Sequence, residues 1–269
     1  MGAMGDWRSY DNIAERYDSV WFRRFEAVAQ QIWAQVTPRP GDKVLDVGTG
    51  TGIVLRTLVE LGAGAGLTVG CDRSARMLIR AREQAAGVRV LVADATALPF
   101  RDERFHLATA SFALSHIPDY PRALAETLRV LKPLARFAAS SWAPPSDPYS
   151  IAWDEWLTEA VSKPEVERAI AEVAPWEEHF SQEGALEAAL TRAGFSPVAS
   201  EAVDVESSFT VDQFVEDREL TSEGRLACHL LGAEGWARYR AAAGDRFRAR
   251  FGPSFRYHRG AFIVVARKP

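Results

Sequence analysis

Val44-Leu-Asp-Val-Gly-Thr-Gly-Thr-Gly52 is the stretch that decides the fold. Glycines at alternate positions carry no Cβ, so the chain turns sharply there and a ligand can lie against the backbone at a helix N-terminus. Just before them, Lys43 to Val47 is a short β-branched run; just after, Ile53 to Leu61 has helical spacing. Strand, glycine turn and helix follow from that order. A lone glycine triplet is weak evidence for a nucleotide site, but here acidic residues end the next two strands, at Asp72 and Asp94. Asp72 comes about 20 residues after Gly52, where a carboxylate in a doubly wound sheet can accept both hydroxyls of a ribose.

Outward from this unit, strand and helix alternate. Thr68 to Asp72 reads as the second strand and Ser74 to Ala86 as a helix that Ser74 can cap. Val88 to Ala93, Phe105 to Ser111 and Arg136 to Trp142 read as further strands, with a helix from Tyr120 to Leu131 between the last two. Such alternation implies right-handed crossovers and a parallel sheet with helices on both faces. Upstream, Asp6 to Val36 is predicted helical, with Ile13, Tyr17, Val20 and Trp21 at three- and four-residue steps. Beyond Trp142 the rhythm changes: one helical stretch from Tyr149 to Trp176, a helix from Gln182 to Ala193, a strand near Val198 to Phe209, helix from Val211 to about Phe251, and a last strand from Gly260 to Ala266. The expected division is a core over 1–143 with a lid helix at about 6–36, a helical cap at 144–180, core again at 181–210, a second helical insertion at 211–252 and a final core strand in 253–269.

Composition narrows the class. The chain has 269 residues, is 47% hydrophobic and 25% charged, and has a formal charge of -4. That argues against a general nucleic-acid or anionic-membrane binder, whose basic field would concentrate polyanions. Two cysteines, Cys71 and Cys228, neither frame a disulfide fold nor stand in a metal-ligand spacing, so no metal and a reducing cytoplasm are expected. No basic leader with an apolar stretch and no membrane-length apolar run occurs, so neither export nor membrane insertion is expected, and Met1 to Gly5 read as a cloning remnant.

Taken together, VLDVGTGTG, VGCDRSARML, VADATALPF and FHLATASFALSHIPDYPRALAETLRVLKP resemble the class I S-adenosylmethionine-dependent methyltransferases, in the group of quinone-biosynthesis and natural-product small-molecule enzymes. The resemblance covers about Tyr10 to Trp142. It implies an α/β, doubly wound, mostly parallel seven-stranded Rossmann-like sheet with the last strand antiparallel and a mainly helical cap. It also implies S-adenosylmethionine as cofactor, S-adenosylhomocysteine as product, and methyl transfer to an oxygen, nitrogen or carbon of a small, partly apolar acceptor. Carried over residue by residue, Asp46 and the turn Gly48, Thr49, Gly50 and Gly52 would hold the methionine portion, and Asp72 the ribose. Arg73 and Met77 would flank the adenine, Asp94 would accept from its amino group with Ala95 beside it, and Ser111 would offer a backbone contact to the methionine amine. Tyr17 would close over the cofactor, since an aromatic face favours a sulfonium.

Three departures from the pattern stand out. His106 replaces an acid after Phe105, Leu134-Ala135 replaces Gly-Gly after Lys132-Pro133, and Ser115 precedes His116 where relatives often have two histidines. His116 is the candidate general base, placed just past the fourth strand at the ligand-bearing edge. Against it stands a histidine that merely packs the loop before Ile117-Pro118. His229 and His258 read as surface groups, and Trp153, Trp156 and Trp176 as core, whereas Trp142 ends a strand and is expected at the site. Two competing functions are a nicotinamide-dependent oxidoreductase and a non-catalytic cofactor-binding sensor or partner subunit. Asp46 and the lack of a Tyr-x-x-x-Lys pair tell against the first. The absence of Asn/Asp-Pro-Pro-aromatic after the fourth strand tells against methylation of nucleobase or glutamine amino groups.

Overall fold

A computed structural model describes residues 6–62 and 66–269. Met1 to Gly5, with the cloning-remnant expectation, and the middle of the Gly62–Leu67 loop lie outside the described residues. Seven strands, β1 (Lys43–Val47), β2 (Leu67–Asp72), β3 (Arg89–Val92), β4 (Phe105–Ser111), β5 (Leu131–Trp142), β6 (Ser196–Thr210) and β7 (Ser254–Arg267), form one sheet in the order β3-β2-β1-β4-β5-β7-β6. The first five are mutually parallel, and β7 runs antiparallel to both β5 and β6. The doubly wound expectation and the antiparallel last strand hold.

Alternation within the strands explains the layers. In β1, Leu45 and Val47 point into a core that also holds Leu124, Phe137, Leu186 and Leu190, on the face covered by α4 (Tyr120–Val130) and α8 (Ala185–Arg192). Val44 points the other way, among Val28, Ile32, Leu55 and Leu58 from α1 (Ala14–Val36) and α2 (Ile53–Glu60). A two-residue side-chain period thus buries both faces. A third cluster, with Trp153, Phe214, Trp236, Phe247 and Tyr257, joins α5 (Pro148–Ala160), α9 (Val211–Leu220) and α10 (Ser222–Phe251) to the outer ends of β6 and β7. Those two strands pair from Ser196–Arg267 out to Thr210–Ser254, well beyond the rest of the sheet, and so carry the added helices.

The long helical stretches are shorter than the periodicity suggested. The lid region starts as a 3-10 turn, Tyr10–Asn12, before α1. Tyr149 to Trp176 is not one helix: α5 ends at Ala160 and α6 (Lys163–Val173) has Pro164 in its first turn, whose ring cannot continue a preceding helix. Likewise α9 stops before Thr221, whose hydroxyl accepts from the Gly224 N–H at 3.2 Å to cap α10, and α10 itself is interrupted by non-helical angles at Gly232. A four-residue helix, α7 (Glu177–Phe180), precedes α8. α3 (Ala75–Gln84) is capped by Ser74 as expected, its hydroxyl accepting from the Met77 N–H at 3.1 Å. No helix of the described residues is long and apolar enough to cross a membrane.

Candidate active site

The strand ends place the site. In β2 and β1 the chain stops at Asp72 and Val47, and the turn that follows β1 is pinned by the Cys71 carbonyl, which accepts from Gly48 and Thr49 N–H at 2.9 and 3.0 Å. Gly48 has φ +71°, and a Cβ there would sit 2.5 Å from that of Ala113. Gly50 has φ +54° with nothing within 4 Å of where its Cβ would lie. The first glycine therefore admits the β4 loop, and the second leaves the backbone open to a ligand. Gly52, also left-handed, starts α2 and packs on Ala81.

Above this turn a cavity of about 1380 Å³ runs along the carboxyl edge of the sheet, from β3 across to β7. Pockets for one small molecule usually span about 300–1,000 Å³, so it holds room for two. Of the residues singled out in the sequence, Tyr17, Gly48, Gly50, Asp72, Arg73, Met77, Asp94, Ala95, Ser111 and His116 line it. Asp46, Thr49 and Gly52 do not: Asp46 and Thr49 are buried beneath the turn, 1% and 6% exposed, and their part is to shape it from behind. Trp142 reaches the cavity as expected, because it ends β5 at the same edge.

Asp72 is held as a double acceptor, Oδ2 taking the Gly50 N–H at 2.9 Å and Oδ1 the Ser74 N–H at 2.8 Å. Burial pushes its carboxyl up, with those two N–H groups opposing. Asp46 accepts from Thr109 Oγ1 at 2.6 Å while its Oδ2 is buried without a partner; burial, opposed by Thr109, pushes it up to about 6. Asp18 on α1, unnoticed in the sequence, accepts from Thr51 on the turn and is also raised by burial. None of these three acids has a cation within 4 Å among the described residues. Asp94 is different: exposed, it accepts from the Thr96 N–H and hydroxyl, which hold its carboxyl below the usual range. This half of the cavity is rich in carboxylates, with Arg73 on its wall as the cation that acts on Asp72 and Asp94.

His116 sits in a 3-10 turn after β4, half-buried on the cavity wall. Its Nδ1 lies 3.1 Å from the Val173 carbonyl and its Nε2 3.4 Å from the Tyr10 hydroxyl. A carbonyl only accepts, so in the neutral ring the proton is on Nδ1, and Nε2 accepts from the Tyr10 hydroxyl. Tyr10, absent from the sequence reading, stands edge-on to this ring at 5.6 Å, with Arg225 4.6 Å over its own ring. Burial, only partly offset by Arg225, raises the Tyr10 phenol to about 12. Tyr17 stacks on Phe25 at 5.6 Å, and burial keeps its phenol protonated.

The remaining singled-out residues have structural duties. His106 Nδ1 accepts the Lys43 N–H at 2.9 Å, tying β4 to the start of β1. Leu134, where the pattern has glycine, adopts φ 63°. His229 is exposed, and His258 pairs with Asp204 at 2.7 Å on the surface. Trp176 packs edge-on against Tyr120, and Trp156 against Phe247. Cys71 is buried, and burial raises its thiol to about 12, which makes it inert. Among the described residues no cluster of three or more His, Cys, Asp or Glu could hold a metal ion.

Comparison with known proteins agrees with this geometry. Residues 44–134 match the family described as a methyltransferase domain. A demethylmenaquinone methyltransferase from Streptomyces griseus subsp. griseus is 31% identical over 202 residues, which cover 71% of this chain and 86% of that protein. A 2-phytyl-1,4-naphtoquinone methyltransferase from Synechococcus elongatus is 32% identical over 164 residues, covering 57% and 69%. Among solved structures, Haemonchus contortus phosphoethanolamine N-methyltransferase 2, in complex with phosphomonomethylethanolamine and S-adenosylhomocysteine, superposes with TM-score 0.59 at 17% identity, over 100% of this chain and 61% of that one, a likeness of fold. The chain belongs to the class I S-adenosylmethionine-dependent methyltransferases, in the group that includes the quinone-biosynthesis enzymes, and is an enzyme that methylates a small molecule.

Proposed function

We propose that S-adenosylmethionine binds over β1, β2 and β3, and that the methyl acceptor, a small and partly apolar molecule, binds beside it over β4, β5 and β7. One observation carries the cofactor half: three buried or half-buried carboxylates, Asp18, Asp46 and Asp72, surround the glycine turn with no cation within 4 Å among the described residues. Such a field suits a ligand with a sulfonium and an ammonium, and opposes the pyrophosphate of a dinucleotide, which would lie on this same turn. The family, with this field, speaks against the oxidoreductase reading.

The cofactor supplies a methyl group already activated for displacement by its sulfonium. What the chain adds is alignment, exclusion of water and a proton acceptor. Asp72 holds a ribose with the lone pairs left over from Gly50 and Ser74. Gly48, Gly50 and the Ser111 backbone flank the methionine portion, with Asp46 beneath. Arg73, Met77, Asp94 and Ala95 surround the adenine, and Tyr17 closes from α1. The helices of 144–180 and 211–252 form the cap on the acceptor side. His116 Nε2 takes the proton from an oxygen, or from an acidic carbon, of the acceptor, whose hydroxyl replaces that of Tyr10. The Val173 carbonyl keeps Nδ1 protonated and the ring oriented, as an accepting group must for the other nitrogen to act as base. The names of the relatives, with the aromatic wall made by Phe112 and Trp142, favour a phenol or quinol.

The test is calorimetry of S-adenosylmethionine, S-adenosylhomocysteine and NADH on one protein batch, followed by labelled-methyl transfer to phenols and quinols. Binding of the first two without NADH, and label in an acceptor, is expected. Binding of NADH alone, or tight cofactor binding without turnover on any acceptor, refutes the reading.

A further inference from the structure

The far end of the cavity gathers a cluster of arginines, with Asp154, Glu177 and Glu223 also on its wall. Arg24 from α1, Arg218 from α9 and Arg259 from β7 all line it. One buried carboxylate serves the first two: Asp217, 0% exposed, binds Arg24 through Oδ1 and Arg218 through Oδ2, and also accepts the Trp21 indole N–H at 2.7 Å. Its lone pairs are thereby used up. Arg24 is 5% exposed and its Nε is buried without a partner; so is Nε of Arg259. The nearest acid to Arg259 is Glu177, at 3.9 Å on the rim, and Asp154, which also lines the cavity, makes no ion pair within 4 Å of any arginine among the described residues. Asp217 thus serves two of the three guanidiniums, while Arg259 has only Glu177 within 4 Å and Asp154 acts on Arg218 and Arg259 from farther off. The charge is felt at Tyr257: burial alone would raise its phenol, yet Arg218, Arg259 and Arg24 together pull it below the usual value.

The wall below these arginines is aromatic. Arg259 lies 4.9 Å over the ring of Trp142, and Trp142 stacks on Phe112 with centroids 4.0 Å apart. Phe112 holds a left-handed φ of 54°, a conformation that costs a residue with a Cβ energy and clusters where a ligand is to be met. Phe25 closes the corner, 5.1 Å from Phe112 and 5.7 Å from Trp142. An aromatic body would pack against this apolar wall, and an oxyanion on it would meet the unpartnered Nε–H groups of Arg24 and Arg259, with Arg218 beside them.

We propose that the acceptor bears an oxyanion, a carboxylate or a phosphate, on an aromatic body, and that Arg24, Arg218 and Arg259 recognise that group. This rests on the reading of the cavity as a methyltransferase site. It adds what the uncharged quinols suggested by the relatives' names would not need. The desolvated cations discriminate chiefly against neutral analogues, which leave them unpaired.

The experiment is calorimetry on the whole chain saturated with S-adenosylhomocysteine, using matched probes: benzoate and benzamide, 1-naphthoate and 1-naphthamide, and phenyl phosphate. At least a tenfold preference for a carboxylate over its amide, or for phenyl phosphate over both amides, is expected, and the better anion names the group. Arg259 is outside the Asp217 network, so Arg259→Gln is the variant of choice; it should cut the preference to below threefold with S-adenosylhomocysteine affinity unchanged. Should that variant fail to fold, the acid-to-amide ratio on the unaltered protein still decides. No preference for any anion, or a preference untouched in a folded Arg259→Gln, overturns the proposal. Failure of the protein to bind S-adenosylhomocysteine at all overturns the reading beneath it instead.

Discussion

Replacing Asp72 by alanine tests the cofactor half of the site most directly. Its carboxylate spends one lone pair of each oxygen on Gly50 and Ser74, at 2.9 and 2.8 Å, which leaves one on each for the two hydroxyls of a ribose. Two hydrogen bonds to an ionised acceptor contribute about 1.5 kcal/mol each at the low end of their range, roughly 3 kcal/mol together. Burial already disfavours the charged carboxylate, as its raised pKa shows, and losing that cost returns a part. About 2 kcal/mol of binding remains at stake, a rise of roughly 30-fold in Kd for S-adenosylhomocysteine. Asp72→Asn keeps one acceptor oxygen but turns an amide toward the Gly50 or Ser74 N–H, and roughly a tenfold loss is expected. Calorimetry gives both values, and a melt without ligand shows whether the turn survives. Affinity within twofold of the unaltered protein, in a folded Asp72→Ala, would refute both the ribose assignment and the energetic argument.

Three more expectations can be checked independently. His116→Ala should lower turnover about a hundredfold while S-adenosylhomocysteine affinity stays put; a near-normal rate returns His116 to packing the loop. Asp46 has its carboxyl raised to about 6 by burial, against Thr109. Its penalty is therefore absent below about pH 4, grows as pH rises and is complete above about 6, at roughly 2 to 3 kcal/mol. Denaturant melts at pH 4.5 and 7 should show the unaltered protein losing stability relative to Asp46→Asn over that interval, and parallel profiles would contradict it. Leu134 is 69% exposed at φ 63°, so Leu134→Gly relieves about 1–2 kcal/mol of backbone strain against about 0.5–1 kcal/mol of added chain freedom. A Tm higher by about 1 to 3 °C is expected, and an unchanged or lower one shows that the left-handed turn costs nothing there.

The sheet was legible because its signals are local. A five-residue apolar strand, a glycine turn and an amphipathic helix each declare themselves within ten residues, and their repetition dictates the crossovers. Helix ends were less legible: α5 gives way to α6 just before Pro164, and α10 is interrupted at Gly232 with φ 66°, single residues inside otherwise periodic stretches, while β6 and β7 run longer than the alternation indicated. Within the site, Asp72 and Asp94 could be placed because a residue at a strand's carboxyl end has nowhere else to be. Asp46 could be noticed but not placed, since one step along a strand reverses the face, and it proved to lie under the turn.

The acceptor end left no such trace, and the reason is geometric. Arg24 and Asp217 stand 193 residues apart, and Arg259 comes from a third element, so no window of sequence contains two parts of the arrangement except Asp217 and Arg218. One local sign existed: Arg24 lies on the same helical face as Trp21, Phe25 and Val28, where a charge interrupts an apolar stripe. Burying it there is costly unless a counter-ion or a ligand meets it, and Asp217 meets only part of the charge. The same helix brings Tyr17 to the cavity and Asp18 to the glycine turn, so on the proposed reading α1 carries both a group for the cofactor and a cation for the acceptor. In the proposed arrangement the carboxylates around the glycine turn would hold one ligand and the arginine cluster the other, each fixed before the methyl group moves. Alignment of that kind is what displacement at an activated methyl requires of the protein.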